Sequence, residues 1–251
     1  MYSIDELDKL EQEEHSLTEE AIAIMLLQLS EVHKELEKEL RSFYQKYGKD
    51  GVVTYQQARK WVDSNDHRKR ILVLYLIMNN HFDKALVDLE KEVSSILDQV
   101  IEKECEYFGI DVKDNVAFNW GVDDLDYSKR LKDNVDLWKA QIQMDLKRSL
   151  LQRKHIDKVL EELDKRFSTI NNVIEKLTLT ESTAVGSLAR QQIIKGLGYS
   201  KYRFYSRPDE RRCEQCGSLH GLVFPITAYE VGVTASPIHP RCRCWEVPIK
   251  D

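Results

Sequence analysis

The chain has 251 residues, of which 42% are hydrophobic and 32% charged, with a formal net charge of -6. This length allows one large domain or two modest ones, and the low counts of glycine (10) and proline (5) favour long helices over a many-stranded sandwich. The apolar stretch at 71–78 is too short to cross a bilayer. The acidic N-terminus lacks the apolar core of a signal peptide, so we expect a cytoplasm that keeps thiols reduced.

Charge is distributed unevenly along the chain. Residues 201–251 contain 8 Lys/Arg and 6 Asp/Glu, whereas residues 1–200 contain 29 and 37. The acidic main part of the chain argues against broad coating of nucleic acid. The weakly basic C-terminal segment still allows a local contact with DNA.

Two long helices are predicted in the N-terminal half. The first begins at the capping box of Ser16 and Glu19 and ends at Gly48. Residues 50–62 predict a turn and a short helix, and the second long helix ends near Gly109. Apolar residues spaced by three and four define one face on each helix. They are Ile22, Met25, Leu29, Val32, Leu36, Leu40 and Phe43 on the first, and Leu86, Leu89, Val93, Ile96, Val100 and Cys105 on the second.

The helical period breaks at 109–126, which predicts a loop or bend, and then resumes. A third face carries Leu131, Val135, Trp138, Ile142 and Leu146. A fourth carries Ile156, Val159, Leu163, Phe167, Ile170, Ile174 and Leu177. A fifth helix is predicted to begin near Thr178 and to end at 196–199.

The last fifty or so residues differ in character, because "YRFYS" (202–206) and "LVFPI" (222–226) place β-favouring residues between turn signals. The sequence therefore predicts a mainly α protein with an elongated helical body and a small C-terminal α+β module stapled by a Cys/His cluster. The predicted domains are an N-terminal helical region at 1–110, a second helical part at 111–200 and the Cys/His module at 201–251.

Four of the five cysteines lie in two short motifs of this module. A C-x-x-C is followed by an H-x-x-C, and paired ligands with two-residue spacers are the usual way to build a tetrahedral zinc site. The next cysteine projects to the same face of an extended segment as Cys242, so it can replace either ligand of the second pair. The predicted ligands of one structural zinc ion are Cys213, Cys216, His239, Cys242 and Cys244, with His220 as a sixth candidate.

Other interpretations of the cysteines remain open. A disulfide clasp can form if a particle is oxidised after release, and a C-x-x-C can support redox or nucleophilic chemistry. A catalytic zinc is disfavoured because the chain has neither H-E-x-x-H nor an H-x-E deaminase pattern. A module of about fifty residues has too small a core to fold without a staple, which favours structural metal. Cys105 stands alone and is interpreted as a buried structural thiol.

The C-terminal motifs also resemble a known family. "PDERRCEQCGSLHGLVF" (208–224) and "SPIHPRCRC" (236–244) are similar to the signature of phage minor head proteins of the Mu gpF-like head-morphogenesis family. The resemblance covers about 125–248, and Leu179 and His220 depart from the family pattern. Besides the cysteines and His239, the matching positions are Thr180, Glu181, Asp209, Arg211, Leu219, Gly221, Pro237, Ile238, Pro240 and Arg243.

Two of these family positions have competing interpretations. Glu181 has capping-box spacing from Thr178, but it is equally compatible with a buried carboxylate that pairs with Arg190 or Arg243. Asp209 and Arg211 are interpreted as a local turn with its ion pair.

The resemblance implies a minor capsid protein of a tailed phage or prophage, without enzymatic activity, that acts near the portal in procapsid assembly and in DNA packaging or ejection. The implied partners are the portal protein, the scaffold or major capsid protein and packaged DNA, and the implied locations are the virion head and the host cytoplasm. DNA contact, if made, is expected to be sequence-independent and salt-sensitive. Its candidate residues are Arg203, Arg207, Arg211, Arg212, Arg241 and Arg243.

The alternative function is a treble-clef metal-dependent nuclease of the HNH type. Such an enzyme needs a histidine general base after the first cysteine pair. The candidate is His220, which follows Leu219 instead of the usual aspartate.

Overall fold

A computed structural model describes residues 4–54, 56, 68–110 and 127–249. Most of these residues lie in four long helices: α1 (Ile4–Tyr47), α2 (Arg68–Phe108), α3 (Tyr127–Leu151) and α4 (Ile156–Gly196). The prediction of a mainly α fold with a small mixed C-terminal module is confirmed. Most of the short helix predicted within 50–62 and of the loop predicted at 109–126 falls outside the described residues. None of the helices described here has an apolar run long enough for a membrane span.

Both predicted capping boxes are wrong, because each lies inside a longer helix. α1 begins at Ile4, and the buried Leu7 and Leu10 continue its apolar face upstream of Ser16. α4 runs without a break through Thr178, so the fourth and fifth predicted helices are one. Capping-box spacing is a local pattern that also occurs on the polar side of a helix whose apolar face continues.

The predicted helix ends at Gly48 and Gly109 are confirmed. α1 stops at Tyr47 and α2 at Phe108, one residue before each glycine. Gly109 has a φ of +67°, the left-handed conformation that favours glycine after a helix. The N–H of the next residue, Ile110, donates to the carbonyl of Cys105 at 2.9 Å, which satisfies a carbonyl of the last turn.

Spatial contacts divide the chain into two compact units that do not follow chain order. One contains 1–23, 91–129 and 175–251, and the other contains 24–90 and 130–174. Neither unit is a continuous stretch of sequence, because α1, α2 and α4 each contribute to both. The domain boundaries predicted at residues 110 and 200 stay a prediction.

The unit formed by 24–90 and 130–174 is a helical core. Phe167 lies at its centre, with ring centroids 4.4 Å from His33 and 6.0 Å from Phe82. Most of the apolar residues predicted on α1, α3 and the first half of α4 are buried here, so packing within the unit covers them. The buried residues include Met25, Leu29, Val32, Leu36, Leu40, Leu131, Val135, Trp138, Ile142, Val159, Leu163, Ile170 and Ile174.

The other unit contains a three-stranded antiparallel sheet in the order β2-β1-β3. The strands are β1 (Lys201–Ser206), β2 (Val223–Pro225) and β3 (Cys244–Ile249), with a short helix α5 (Glu214–Leu219) after β1. Strand structure in both predicted β-favouring segments is thus confirmed. The register pairs Ser206 with Cys244, which places the last cysteine at one end of the sheet.

A buried arginine among carboxylates lies inside the same unit. Arg190 of α4 is 1% exposed and Glu104 of α2 is fully buried. The guanidinium donates from both Nε and Nη2 to Glu104, and its Nη2 lies 2.6 Å from Glu11 of α1. Burial raises the pKa of Glu11 and of Glu14, and it raises that of Glu104 to about 7. Arg190 thus joins three segments that are distant in sequence.

A second buried carboxylate organises the sheet. Glu246 of β3 accepts hydrogen bonds from the N–H of Ser236 at 2.6 Å and from the hydroxyl of Tyr229 at 2.9 Å. The Tyr229 hydroxyl also lies 2.8 Å from that of Ser187 on α4. These bonds satisfy a fully buried side chain and connect β3 to the long helix behind it.

Replacing Arg190 by methionine tests the arginine network. R190M should lower the free energy of unfolding by about 3–5 kcal/mol, because it leaves buried carboxylates without their cation. The matched control is R41M, which removes an exposed pair with Glu37 and should change stability little. Urea unfolding monitored by circular dichroism measures both. Equal stability of the two variants would contradict the assigned role of Arg190.

Candidate metal centre

The first ligand pair lies at the N-terminus of α5. Cys213 is the N-cap residue, and its Sγ accepts the N–H of Cys216 at 3.3 Å. Two residues between the cysteines bring both sulfur atoms to one side of the first helical turn. Burial raises the pKa of the Cys213 thiol, but the Cys216 N–H and His239 outweigh it, so the net shift is downward. Burial raises the pKa of the Cys216 thiol to about 12, so Cys213 is the member of the pair that favours the thiolate form that metal ligation requires.

The second ligand pair comes from the loop before β3. The Nδ1 of His239 lies 2.9 Å from the carbonyl of Pro240, which can only accept, so Nδ1 carries the proton. The lone pair of Nε2 then faces the first pair, 3.2 Å from the sulfur atoms of Cys213 and Cys216. A backbone carbonyl that fixes the ring in this way is the usual companion of a metal-bound histidine.

The other two cysteines complete the cluster. The Sγ atoms of Cys216 and Cys242 are 3.7 Å apart. The potential ligand atoms form two sets, each within 4.8 Å, that share Cys216: one with Cys213 and His239, the other with Cys242 and Cys244. A hydrogen bond from the thiol of Cys244 is the largest influence that lowers the pKa of Cys242 to about 5, whereas the pKa of Cys244 is raised.

The arrangement fits a tetrahedral zinc ion. Zinc–sulfur bonds of about 2.3 Å place the sulfur atoms of one tetrahedral shell about 3.8 Å apart, close to the Cys216–Cys242 distance. An apolar layer that includes Phe204, Ile238 and Leu219 packs around the thiols. All five cysteines of the chain are free thiols. The fold thus brings together the five ligands predicted from sequence.

Two residues considered in the sequence analysis lie outside the cluster. The Nδ1 of His220 accepts the N–H of Ser206 at 3.1 Å, and its ring packs edge-on against Tyr205. That nitrogen is therefore engaged by the sheet. Cys105 is 7% exposed on α2, which confirms the prediction of a buried thiol.

Asp209 and Arg243 connect the two ligand loops. The guanidinium of Arg243 donates two hydrogen bonds to Asp209, at 2.6 and 2.8 Å. Arg211 was expected to be the ion-pair partner of Asp209, but the hydrogen bond that it donates comes from its backbone N–H at 2.9 Å. The Arg243 hydrogen bond is the main reason that the pKa of Asp209 falls to about 2. Spacing in the sequence favoured Arg211 as the partner of Asp209. In the structure, the side chain that forms the bidentate pair is that of Arg243.

Helix α4 holds the second ligand loop through two threonines. The Thr180 hydroxyl donates to the carbonyl of Lys176 at 2.6 Å and accepts the N–H of Arg241 at 3.2 Å. Thr183 donates to the carbonyl of Cys242 at 3.4 Å. Arg241 has a φ of +62°, a conformation that an L-residue adopts only when its surroundings hold it. No local spacing pattern in the sequence predicts this contact. Its only sequence signal is the match of Thr180 and Glu181 to the Thr-Glu pair of the family motif.

Glu181, next to Thr180, is 1% exposed, which agrees with the interpretation as a buried carboxylate. The helix-capping alternative is wrong, because α4 continues through this position. The two arginines considered as its partners make ion pairs with other carboxylates, Arg190 with Glu104 and Arg243 with Asp209.

Gly221 is required by its backbone conformation. Its φ is +82°, and its N–H donates to the carbonyl of Phe204 at 2.8 Å. A residue with a side chain is strained in this conformation, which accounts for glycine at the turn between α5 and β2.

The six arginines proposed for DNA contact fall into two groups. Arg207 pairs with Asp8 at 3.2 Å and lies over the ring of Trp245. Arg241 pairs with Glu175, and Arg243 with Asp209. The remaining three are exposed and make no ion pair with any residue that the structure describes: Arg203, Arg211 and Arg212.

The C-terminal part of the chain matches a model of a known protein family. Residues 140–247 match the family model described as Phage Mu protein F like protein. The matched segment contains Thr180 and Glu181 of α4, the Asp209–Arg243 pair and all the predicted metal ligands. No curated protein and no solved structure gives a significant match.

Replacing Thr180 by valine tests the anchor between α4 and the ligand loop. T180V keeps the branched shape but leaves the Arg241 N–H without its acceptor, so stability should fall by about 1 kcal/mol and cleavage between 237 and 243 should become faster. The control is T169V, since Thr169 makes the same bond to the carbonyl four residues earlier but is exposed. Urea unfolding and limited proteolysis measure both effects. Cleavage as slow as in T169V would contradict the anchor.

Proposed function

We propose that this protein is a minor capsid protein of a tailed phage or prophage, because residues 140–247 match the model of the phage Mu protein F-like family, which supports a role in phage head morphogenesis. It acts by binding near the portal during procapsid assembly and DNA packaging or ejection. It works in the host cytoplasm during assembly and resides in the virion head afterwards.

One observation carries the proposal. The positions that resemble the family signature are scattered from 180 to 244, yet they lie together in the structure. Thr180 holds the loop of the second ligand pair, and Arg243 ties that loop to Asp209, just before the first pair. The signature is therefore the set of residues that builds one rigid module. This favours a structural role over catalysis.

We further propose that the module binds one structural zinc ion through Cys213, Cys216, His239 and Cys242. The first three have ligand atoms within 4.8 Å of one another, and the 3.7 Å separation of Cys216 and Cys242 suits a shared ion. Cys244 then donates a hydrogen bond to the Cys242 thiolate. Zinc would supply folding stability to a sheet of three short strands and would perform no chemistry.

Serine substitutions test the zinc site. Elemental analysis of the reduced chain should find about one zinc per molecule. C242S should lose the metal, whereas C244S should retain it because that residue does not ligate in this assignment. C105S, which changes a lone thiol elsewhere, is the control and should also retain it.

Two outcomes would contradict this assignment. A wild-type chain without zinc, whose thiols all react while it is folded, would exclude the metal. Retention of zinc by C242S with loss in C244S would show that the other cysteine is the fourth ligand.

The portal-facing surface is proposed to lie on the helical unit of 24–90 and 130–174. Several of its large apolar side chains are well exposed, among them Leu27 (69%), Val87 (64%) and Met144 (57%). Exposed apolar side chains on a highly charged chain are suited to contact with a protein partner. Scaffold or major capsid protein is a further proposed partner.

Co-expression with the portal and capsid proteins of the same phage tests this function. The chain should enter particles and co-purify with the portal. L27D should weaken that association, whereas S42D, which adds the same charge at an exposed site of α1, should not. A chain that never enters particles and never binds portal, but cleaves DNA with Mg²⁺, would overturn the proposal in favour of the nuclease.

The nuclease alternative receives no support from the site. Its general base would be His220, whose Nδ1 accepts a backbone hydrogen bond from Ser206. A contact with packaged DNA is proposed instead for Arg203, Arg211 and Arg212, which are exposed and have no carboxylate partner among the described residues. Such a contact is independent of sequence and weakens with salt.

A further inference from the structure

A second group of potential metal ligands lies near the arginine of the sheet-containing unit. It consists of Glu11 and Glu14 from α1 and Glu104 from α2. One carboxylate oxygen of each lies within 4.8 Å of the other two. Glu104 is fully buried and Glu14 is 6% exposed, so water does not screen their charges.

The charges in this group are not balanced. Arg190 donates hydrogen bonds to Glu104 and Glu11, so three carboxylates face one guanidinium. The Oε1 atom of Glu14 is buried and has no hydrogen-bond partner. The side chain of Glu14 bonds with Glu104, and burial together with the neighbouring carboxylates raises the pKa of Glu14, because an uncompensated buried charge is costly. A positively charged ligand beside Glu14 would supply the missing compensation.

The structure also leaves space for a small ligand. A cavity of about 30 Å³ is lined by Glu11 and Glu14, enough for an ion or one or two water molecules. Gly186 of α4 lies next to this group, since a Cβ built there would be 3.5 Å from Oε2 of Glu14 and 3.9 Å from Oε1 of Glu104.

Cys242, one of the proposed zinc ligands, also lines the cavity, and its negative charge adds to burial in raising the pKa of Glu11. The positively charged groups around the cavity are already compensated. Two arginines line it: Arg207, which pairs with Asp8, and Arg243, which pairs with Asp209. His15 also lines the cavity, and burial lowers its pKa, so it favours the neutral form. The carboxylate of Glu246 adds to the negative potential at Glu104. Glu14 is thus the carboxylate of the group that lacks a cation.

We propose that Glu11, Glu14 and Glu104 bind one hard divalent cation of the Mg²⁺ or Mn²⁺ class. Carboxylate oxygens select hard cations over zinc or copper. The small cavity favours these ions over Ca²⁺, which takes six to eight ligands at longer distances. The bound cation holds α1 against α2, and none of its three ligands belongs to the Cys/His cluster, although Cys242 lines the same cavity. All three carboxylates precede the segment that matches the phage family, which begins at residue 140.

Manganese binding to the full chain tests the proposal. Titration of Mn²⁺ at pH 8, monitored by electron paramagnetic resonance of the free ion, should show about one site per chain that Mg²⁺ displaces. E14Q should weaken this binding by about tenfold or more, because an amide oxygen replaces a charged ligand. The control is E13Q, one residue away on the exposed face, where Glu13 pairs with Lys103. It should bind Mn²⁺ as the wild type does.

A second readout does not depend on the folding of a variant. Mn²⁺ bound at this site should broaden the amide NMR signal of Gly186 in the wild-type chain before that of Gly48 or Gly109. Mn²⁺ should also bind the wild-type chain whose Cys/His cluster is already filled with zinc, which separates this site from that cluster and from the proposed role in the phage head. Absence of Mn²⁺ binding would show that protons alone neutralise the carboxylates. Binding that leaves the Gly186 signal sharp would place the ion elsewhere. Either result overturns the proposal.

Discussion

The convergence of two ligand loops on one small volume is the constraint on which the C-terminal module depends. Three strands of six, three and six residues bury too little apolar surface to hold a unique structure by themselves. The sulfur and imidazole groups therefore lie where a larger domain would have apolar side chains, next to Phe204 and Ile238. The contacts that hold these two loops in place therefore also hold the sheet in place.

Helix α4 connects this module to the other helices of the same unit. Along one helix, Thr180 and Thr183 bind the second ligand loop, Ser187 contacts the Tyr229–Glu246 pair, and Arg190 reaches the carboxylates of α1 and α2. These residues recur at intervals of three and four, which places them on one face. On this side of α4, Ser187 and Arg190 are buried and the two threonines are half-buried, and each of the four side chains has a specific partner.

A module built in this way is suited to binding. Its fixed contacts are bidentate or buried, as in the Asp209–Arg243 pair and the hydrogen bonds to Glu246, so its surface is presented in one conformation. Binding partners of defined shape benefit from such preorganisation, because little conformational entropy is lost on association. No residue of the cluster needs to titrate or move for this role.

The sequence by itself determined the periodic and closely spaced features. The spacing of apolar residues predicted which helix faces are buried, glycine predicted the ends of α1 and α2, and two-residue spacers predicted which cysteines lie close to His239, since these signals act within a few residues. Only the tertiary structure decided the long-range pairings: Arg243 rather than Arg211 with Asp209, Thr180 with the Arg241 N–H, and Arg190 with Glu104. Those partners are 34 to 86 residues apart. Ionic and hydrogen-bonding side chains follow no periodic pattern in the sequence. The path of the folded chain therefore determines which of the possible partners each of them contacts.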